Sequence, residues 1–179
     1  MTLKVVIEFS KAVANMMKHS KSRAVQKAIQ KASTQGALLI QGRAQQRIMK
    51  GPKSGIVYGP QRLAAKKNRG LKLTKREAGK VHQASSPGEA PANWSGHLVR
   101  GIKIARAELT GFGVYTAKVI STAPYSCALE YGTRKAGKTH DVVILERPFM
   151  KPSVDESLKE IDTLIKVAVA AAMKEDDDG

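Results

Sequence analysis

Residues able to serve as nucleophile, base or metal ligand are sparse in this chain: one cysteine, Cys127, and four histidines, His19, His82, His97 and His140. A Cys127/His140 pair would be a thiol and its base, the arrangement of a small hydrolase, if the two came within hydrogen-bond reach. The neighbours of Cys127 argue otherwise. Tyr125, Cys127, Leu129 and Tyr131 alternate with Ser126, Ala128 and Glu130, the period of a half-buried strand, and a cysteine on an apolar strand face is a small inert hydrophobe. No histidine stands four residues from another or at a metal-ligand spacing; His97 has only Ser95 as a polar neighbour two residues back. A single cysteine allows neither an internal disulfide nor a zinc ribbon. The glycines form no G-x-G-x-x-G or G-x-x-x-x-G-K-[ST] cradle. The expectation is no catalytic residue, no metal and no cofactor, with Cys127 as a packing residue.

Charge is the stronger signal. The chain has 179 residues, a net charge of +16 and only 4% aromatic residues. Such a charge attracts polyanions at long range. The scarcity of aromatic residues argues against a platform that stacks single-stranded bases. The charge is concentrated between positions 50 and 80, at Lys50, Lys53, Arg62, Lys66, Lys67, Arg69, Lys72, Lys75, Arg76 and Lys80. This pattern fits a solvated loop, a nucleic-acid contact, or an arm docking on an acidic protein surface. Lysine dominance suits non-specific electrostatics better than base readout. Glu130 and Arg147 form a second charged pair of interest, able to meet across a sheet or a subunit boundary because the arginine fork matches a carboxylate.

These residues need a scaffold. Thr2 to Phe9 alternates as a strand, and Ser10 can cap a short helix through His19. From Arg23 to Met49, Val25, Ala28, Ile29, Ala32, Gly36, Leu39, Ile40, Ala44 and Ile48 recur at three- and four-residue steps along one face of a long helix. Residues 50–95 are rich in Gly and Pro and poor in bulky apolar groups, so this inserted arm is expected to be mobile on its own. Leu98 to Leu109 and Gly113 to Thr122 read as a hairpin around Thr110–Gly113. Tyr125 to Tyr131, ended by Gly132, and Asp141 to Glu146 supply two further strands. Ser153–Glu156 has capping-box spacing before a helix striped by Val154, Leu158, Ile161, Ile165, Ala168 and Ala172. The acidic tail 174–179 opposes the helix dipole and is expected to fray. The prediction is one α+β domain over 1–179, a small antiparallel sheet covered by the long helix and the C-terminal helix. No stretch is apolar enough to span a membrane.

Four segments, His82–Ala92 (HQASSPGEAPA), Trp94–Leu98 (WSGHL), Leu129–Thr133 (LEYGT) with Tyr125 ahead of it, and Arg147–Pro152 (RPFMKP) before a terminal helix, resemble in order and spacing the gene-product-ten family of tailed phages. These are neck or tail-completion proteins at the head–tail joint. The insert from Gly51 to Lys80 is longer and more basic than the minimal family pattern.

The resemblance implies a virion protein made in the host bacterial cytoplasm, with no enzymatic activity. It implies a homo-oligomeric ring, most often of six subunits, with twelve the other arrangement. Such a ring stands between portal-side head-closure proteins and the tail, and double-stranded DNA crosses its lumen. Glu130, Tyr131, Gly132, Thr133, Arg147 and Phe149 are then the expected interface residues, and the basic arm an expected contact to DNA or a protein partner. Two other expectations remain: a basic DNA-binding packaging or chromosomal protein, and the Cys127/His140 hydrolase.

Overall fold

The computed structural model describes residues 3–7, 23–110 and 114–177. In chain order its elements are β1 (Leu3–Ile7), α1 (Arg23–Lys50), β2 (Val57–Tyr58), α2 (Gln61–Asn68), α3 (Lys75–Ala78), β3 (His82–Gln83), α4 (His97–Gly101), β4 (Ile102–Leu109), β5 (Tyr115–Ser121), α5 (Ser126–Tyr131), β6 (Thr133–Ala136), β7 (Val142–Ile144) and α6 (Met150–Asp177). β1, β5 and β4 form an antiparallel sheet in that spatial order.

Helix α1 is the middle layer, with the sheet on one side and α6 antiparallel on the other. Its predicted apolar positions hold: Val25, Ile29, Ala32, Gly36, Ile40, Ala44 and Ile48 are buried, and Ala28 and Leu39 pack against them. A helix between two layers must be apolar on two sides, so its amphipathicity is weak. At Gly36 a Cβ would stand 3.1 Å from Cγ2 of Ile161, so glycine permits the close approach of α6. Arg43 donates to Glu160 at 2.5 Å and to the Ser157 hydroxyl at 2.8 Å, and Arg47 pairs with Glu156.

Polar side chains of α1 also grip β4. Gln30 Nε2 donates to the Ala107 carbonyl (2.9 Å), the Ala107 amide donates to Thr34 Oγ1 (3.2 Å), and Gln41 Nε2 donates to the Ile102 carbonyl (2.7 Å). Ala107 lies where the β4–β5 register shifts, between Ala105 and Glu108. The helix therefore satisfies backbone groups at an irregular point of the ladder.

The α+β class with a small antiparallel sheet, a long helix in the N-terminal half and a C-terminal helix is as expected. Several elements differ. Tyr125 to Tyr131 is not a strand: Ser126–Tyr131 is helical, and the residues it buries are Ser126 and Glu130, four apart. Over seven residues an alternating pattern and an i, i+4 pattern overlap, and here polar partners decide. The Ser126 hydroxyl bonds the Ala123 carbonyl at 2.7 Å, and Glu130 is drawn inward by the start of α6. Leu98 to Gly101 belongs to α4, and β4 begins at Ile102. The strand expected over Asp141–Glu146 shortens to Val142–Ile144 and pairs with β6 in a separate hairpin. Ser153 is not a cap, because the helix has already begun at Met150; its hydroxyl turns back to the Phe149 carbonyl at 2.6 Å. Leu158, placed on the buried stripe, is half exposed. Helix α6 is continuous to Asp177. The helix expected over Ser10–His19 lies outside the described residues.

The 50–95 segment carries more order than its composition implies. β2 and β3 pair, Val57 with Gln83 and Tyr58 with His82. A capping box forms between Thr74 and Glu77, and Glu77 also accepts from Lys66 Nζ at 3.0 Å, tying α3 to α2. Neither helix buries a residue.

Candidate assembly site

The two stretches LEYGT and RPFMKP do meet, but through a different bond from the one expected. Glu130 is buried, and its carboxylate accepts the amides of Phe149 (2.9 Å), Met150 (2.9 Å) and Lys151 (2.7 Å). The next residue is Pro152, which has no amide hydrogen. One side chain from α5 thus takes all three available donors at the start of α6, where the helix dipole favours negative charge. Arg147 is not its partner: its Nε reaches the Ser85 carbonyl at 3.3 Å and its Nη1 the Leu145 carbonyl at 3.3 Å. The Arg147 amide donates to the Leu129 carbonyl at 2.6 Å, closing the end of α5 against the strand leading to α6.

The SSPGE turn joins the same junction. The Gly88 amide bonds the Glu146 carbonyl at 2.9 Å. Glu89 accepts from the amides of Ser54 (3.0 Å) and Ser86 (2.8 Å) and from the Ser54 hydroxyl (2.6 Å). These bonds, the Ser54 hydroxyl foremost, hold the Glu89 carboxyl below its ordinary range. Glu89 thereby ties the two ends of the 50–95 segment together, and the Gly88 and Arg147 bonds hold that base to the body. Sequence reasoning did not single out Ser54, Ser86 or Glu89 for this role, since the partners lie 35 positions apart.

Gly132 lets the chain leave this junction. Its φ of 71° with ψ of 169° is open to glycine almost alone, and a Cβ there would stand 3.0 Å from the Ile144 carbonyl. Beyond it the β6–β7 hairpin packs chiefly on itself and on α5. A groove lined by Pro87, Tyr131, Gly132, Arg134, Val143 and Leu145 runs along its base. Tyr131 is 68%, Val143 59% and Leu145 56% exposed.

The expected interface residues therefore divide. Tyr131 is exposed, and Gly132 and Thr133 are partly so. Glu130 and Phe149 are buried inside the chain and hold α5 to α6; Arg147, half-buried, binds backbone carbonyls. Val143 and Leu145 were missed, and the apolar run VVIL at 142–145 was their signal. Cys127 is half-buried against the core and His140 is exposed at the hairpin tip, with a ring nitrogen 3.3 Å from the Lys135 carbonyl. Among the described residues no group of histidine, cysteine and carboxylate side chains could hold a metal, and no helix is long and apolar enough to cross a membrane. Comparison of the chain with family models, with curated proteins and with solved structures gives no match.

Proposed function

We propose that the chain is a structural, non-enzymatic ring subunit of the head–tail connector of a tailed bacteriophage, a neck or tail-completion protein of the virion. It would join portal-side head-closure proteins to the tail around the DNA channel. The observation that carries this reading is the β6–β7 hairpin. Val143 in the hairpin and Tyr131 and Leu145 at its base are exposed within the described chain, and an isolated two-stranded hairpin is marginal in water, so this surface suits burial against a second copy. The segments behind the family resemblance support it too: SSPGE, LEYGT and RPFM converge on one junction, whose bonds fix the direction in which the hairpin leaves the body. A patch on a projecting element that meets a different patch on the next copy gives a head-to-tail contact, which closes into a ring when the rotation permits.

The test is sedimentation velocity of the purified chain over a wide concentration range, together with its addition to tailless heads and free tails. A closed oligomer that Tyr131→Asp with Val143→Asp reduces to monomer supports the proposal. A wild-type chain that stays monomeric at high concentration and adds to neither particle overturns it.

A further inference from the structure

We infer that residues 50–80 form a non-specific site for the phosphate backbone of double-stranded DNA, centred on the α2–α3 module. The segment holds ten cationic side chains and one carboxylate, Glu77. That carboxylate is already used inside the module, on the Thr74 amide at 2.9 Å and on Lys66. Among the described residues none of the other nine cations has a carboxylate partner. Helices of a folded protein ordinarily bury one face, yet in α2 and α3 the only apolar side chains even half-buried are Leu63 and Ala64, so packing accounts for little of this sequence.

The cations also converge in space. Lys53, ahead of β2, and Lys67, on α2, both act on His82, whose imidazole is held below its ordinary range by desolvation first and by these two charges next. His82 in turn lies against Trp94, ring centres 4.4 Å apart, and Trp94 is 71% exposed. Arg62, Arg69, Lys72, Lys75 and Arg76 are all exposed on the same short module.

The chemistry favours duplex nucleic acid over an acidic protein. Lysine is depleted from the cores of protein interfaces, which rely on desolvated anchors. Seven of the ten cations here are lysine. A duplex presents a continuous charge, about one per 1.7 Å of axis, that many independent lysines can neutralise without defined pockets. The inference deepens the ring reading by naming residues for the channel's DNA, but it is measured on the subunit and does not need the ring to form.

The experiment follows a labelled mixed-sequence duplex by fluorescence anisotropy with the full chain between about 50 and 200 mM salt. If about five phosphates are neutralised, log K falls with log salt at a slope of about −4.5. Replacing Arg62, Arg69, Lys72 and Lys75 by Gln should flatten the slope by about 3 to 4 and weaken binding more than about tenfold near 100 mM salt. The same charge change at exposed Lys27, Lys31, Lys159 and Lys174 should cost less than about threefold. Poly-glutamate at equal charge should compete poorly. Absence of duplex binding at the lowest salt overturns the inference, and so does equal loss in the two variants. Equal competition by poly-glutamate transfers the surface to an acidic protein partner. Sedimentation of the same samples reads ring formation separately.

Discussion

Replacing Glu130 by Ala isolates the contact that joins α5 to α6. Phe149 and Met150 are 0% and 1% exposed, so their amides cannot turn to water when the carboxylate goes; Lys151 is exposed, and its amide can. Two buried donors left unpaired cost about 1–3 kcal/mol each, and the lost charge at the helix start adds about 0.5–1 kcal/mol. Relief from burying a carboxylate offsets part of this. The expected net loss is about 3 kcal/mol. Glu130→Gln keeps the shape and one acceptor oxygen but turns an amide NH2 toward a donor, so about 1.5 kcal/mol is expected. The assay is urea unfolding at low protein concentration. With m near 2 kcal/mol per molar, the alanine midpoint should fall by about 1.5 M at unchanged m. Heating should show a drop of about 6–12 °C. If both variants unfold within about 0.5 kcal/mol of the parent, Glu130 does not cap α6 and the account of this junction is wrong.

Three further outcomes follow from the same geometry. Gly132→Ala meets both a disallowed backbone region and the Ile144 carbonyl, and should cost about 2 kcal/mol or more by the same unfolding assay. Gly42→Ala has nothing within 4 Å of the new methyl group and lies inside α1, so helix propensity alone should raise stability by about 0.8 kcal/mol, seen as a higher urea midpoint. The Glu77 carboxyl is lowered to about 2, first by the Thr74 amide and then by Lys66. Because its folded value lies below its ordinary 4.5, its stabilisation of the α2–α3 module is complete above about 4.5 and is lost as pH falls toward 2. Protection of the Thr74 amide, its exchange rate relative to the intrinsic rate at each pH, should fall across that window in the parent, while in Glu77→Gln it should be low throughout and unchanged by pH.

The two long helices were legible in the sequence because period and length agreed: nine apolar or small positions of α1 recur over seven turns, and chance seldom sustains that. The junction was not. Seven residues from Tyr125 to Tyr131 are too few to separate a period of two from one of 3.6, and the deciding partner of Glu130 lies 19 to 21 positions onward. Ser153–Glu156 shows the opposite error, a valid capping spacing made idle because a more distant carboxylate had started the helix a turn earlier. Composition also misled for the basic segment. Its Thr74-x-x-Glu77 spacing was a readable sign of local order that few apolar residues concealed.

The grip of Gln30, Thr34 and Gln41 on β4 has a consequence for what the sheet can recruit. β4 and β1 are the two outer strands of the sheet, and an outer strand ordinarily offers unpaired amides and carbonyls on which a foreign strand can template itself. At Ile102 and Ala107 those groups already bond α1. An intruding strand would have to displace side chains anchored on a buried helix. The chain is thereby guarded on that flank against edge-to-edge strand pairing.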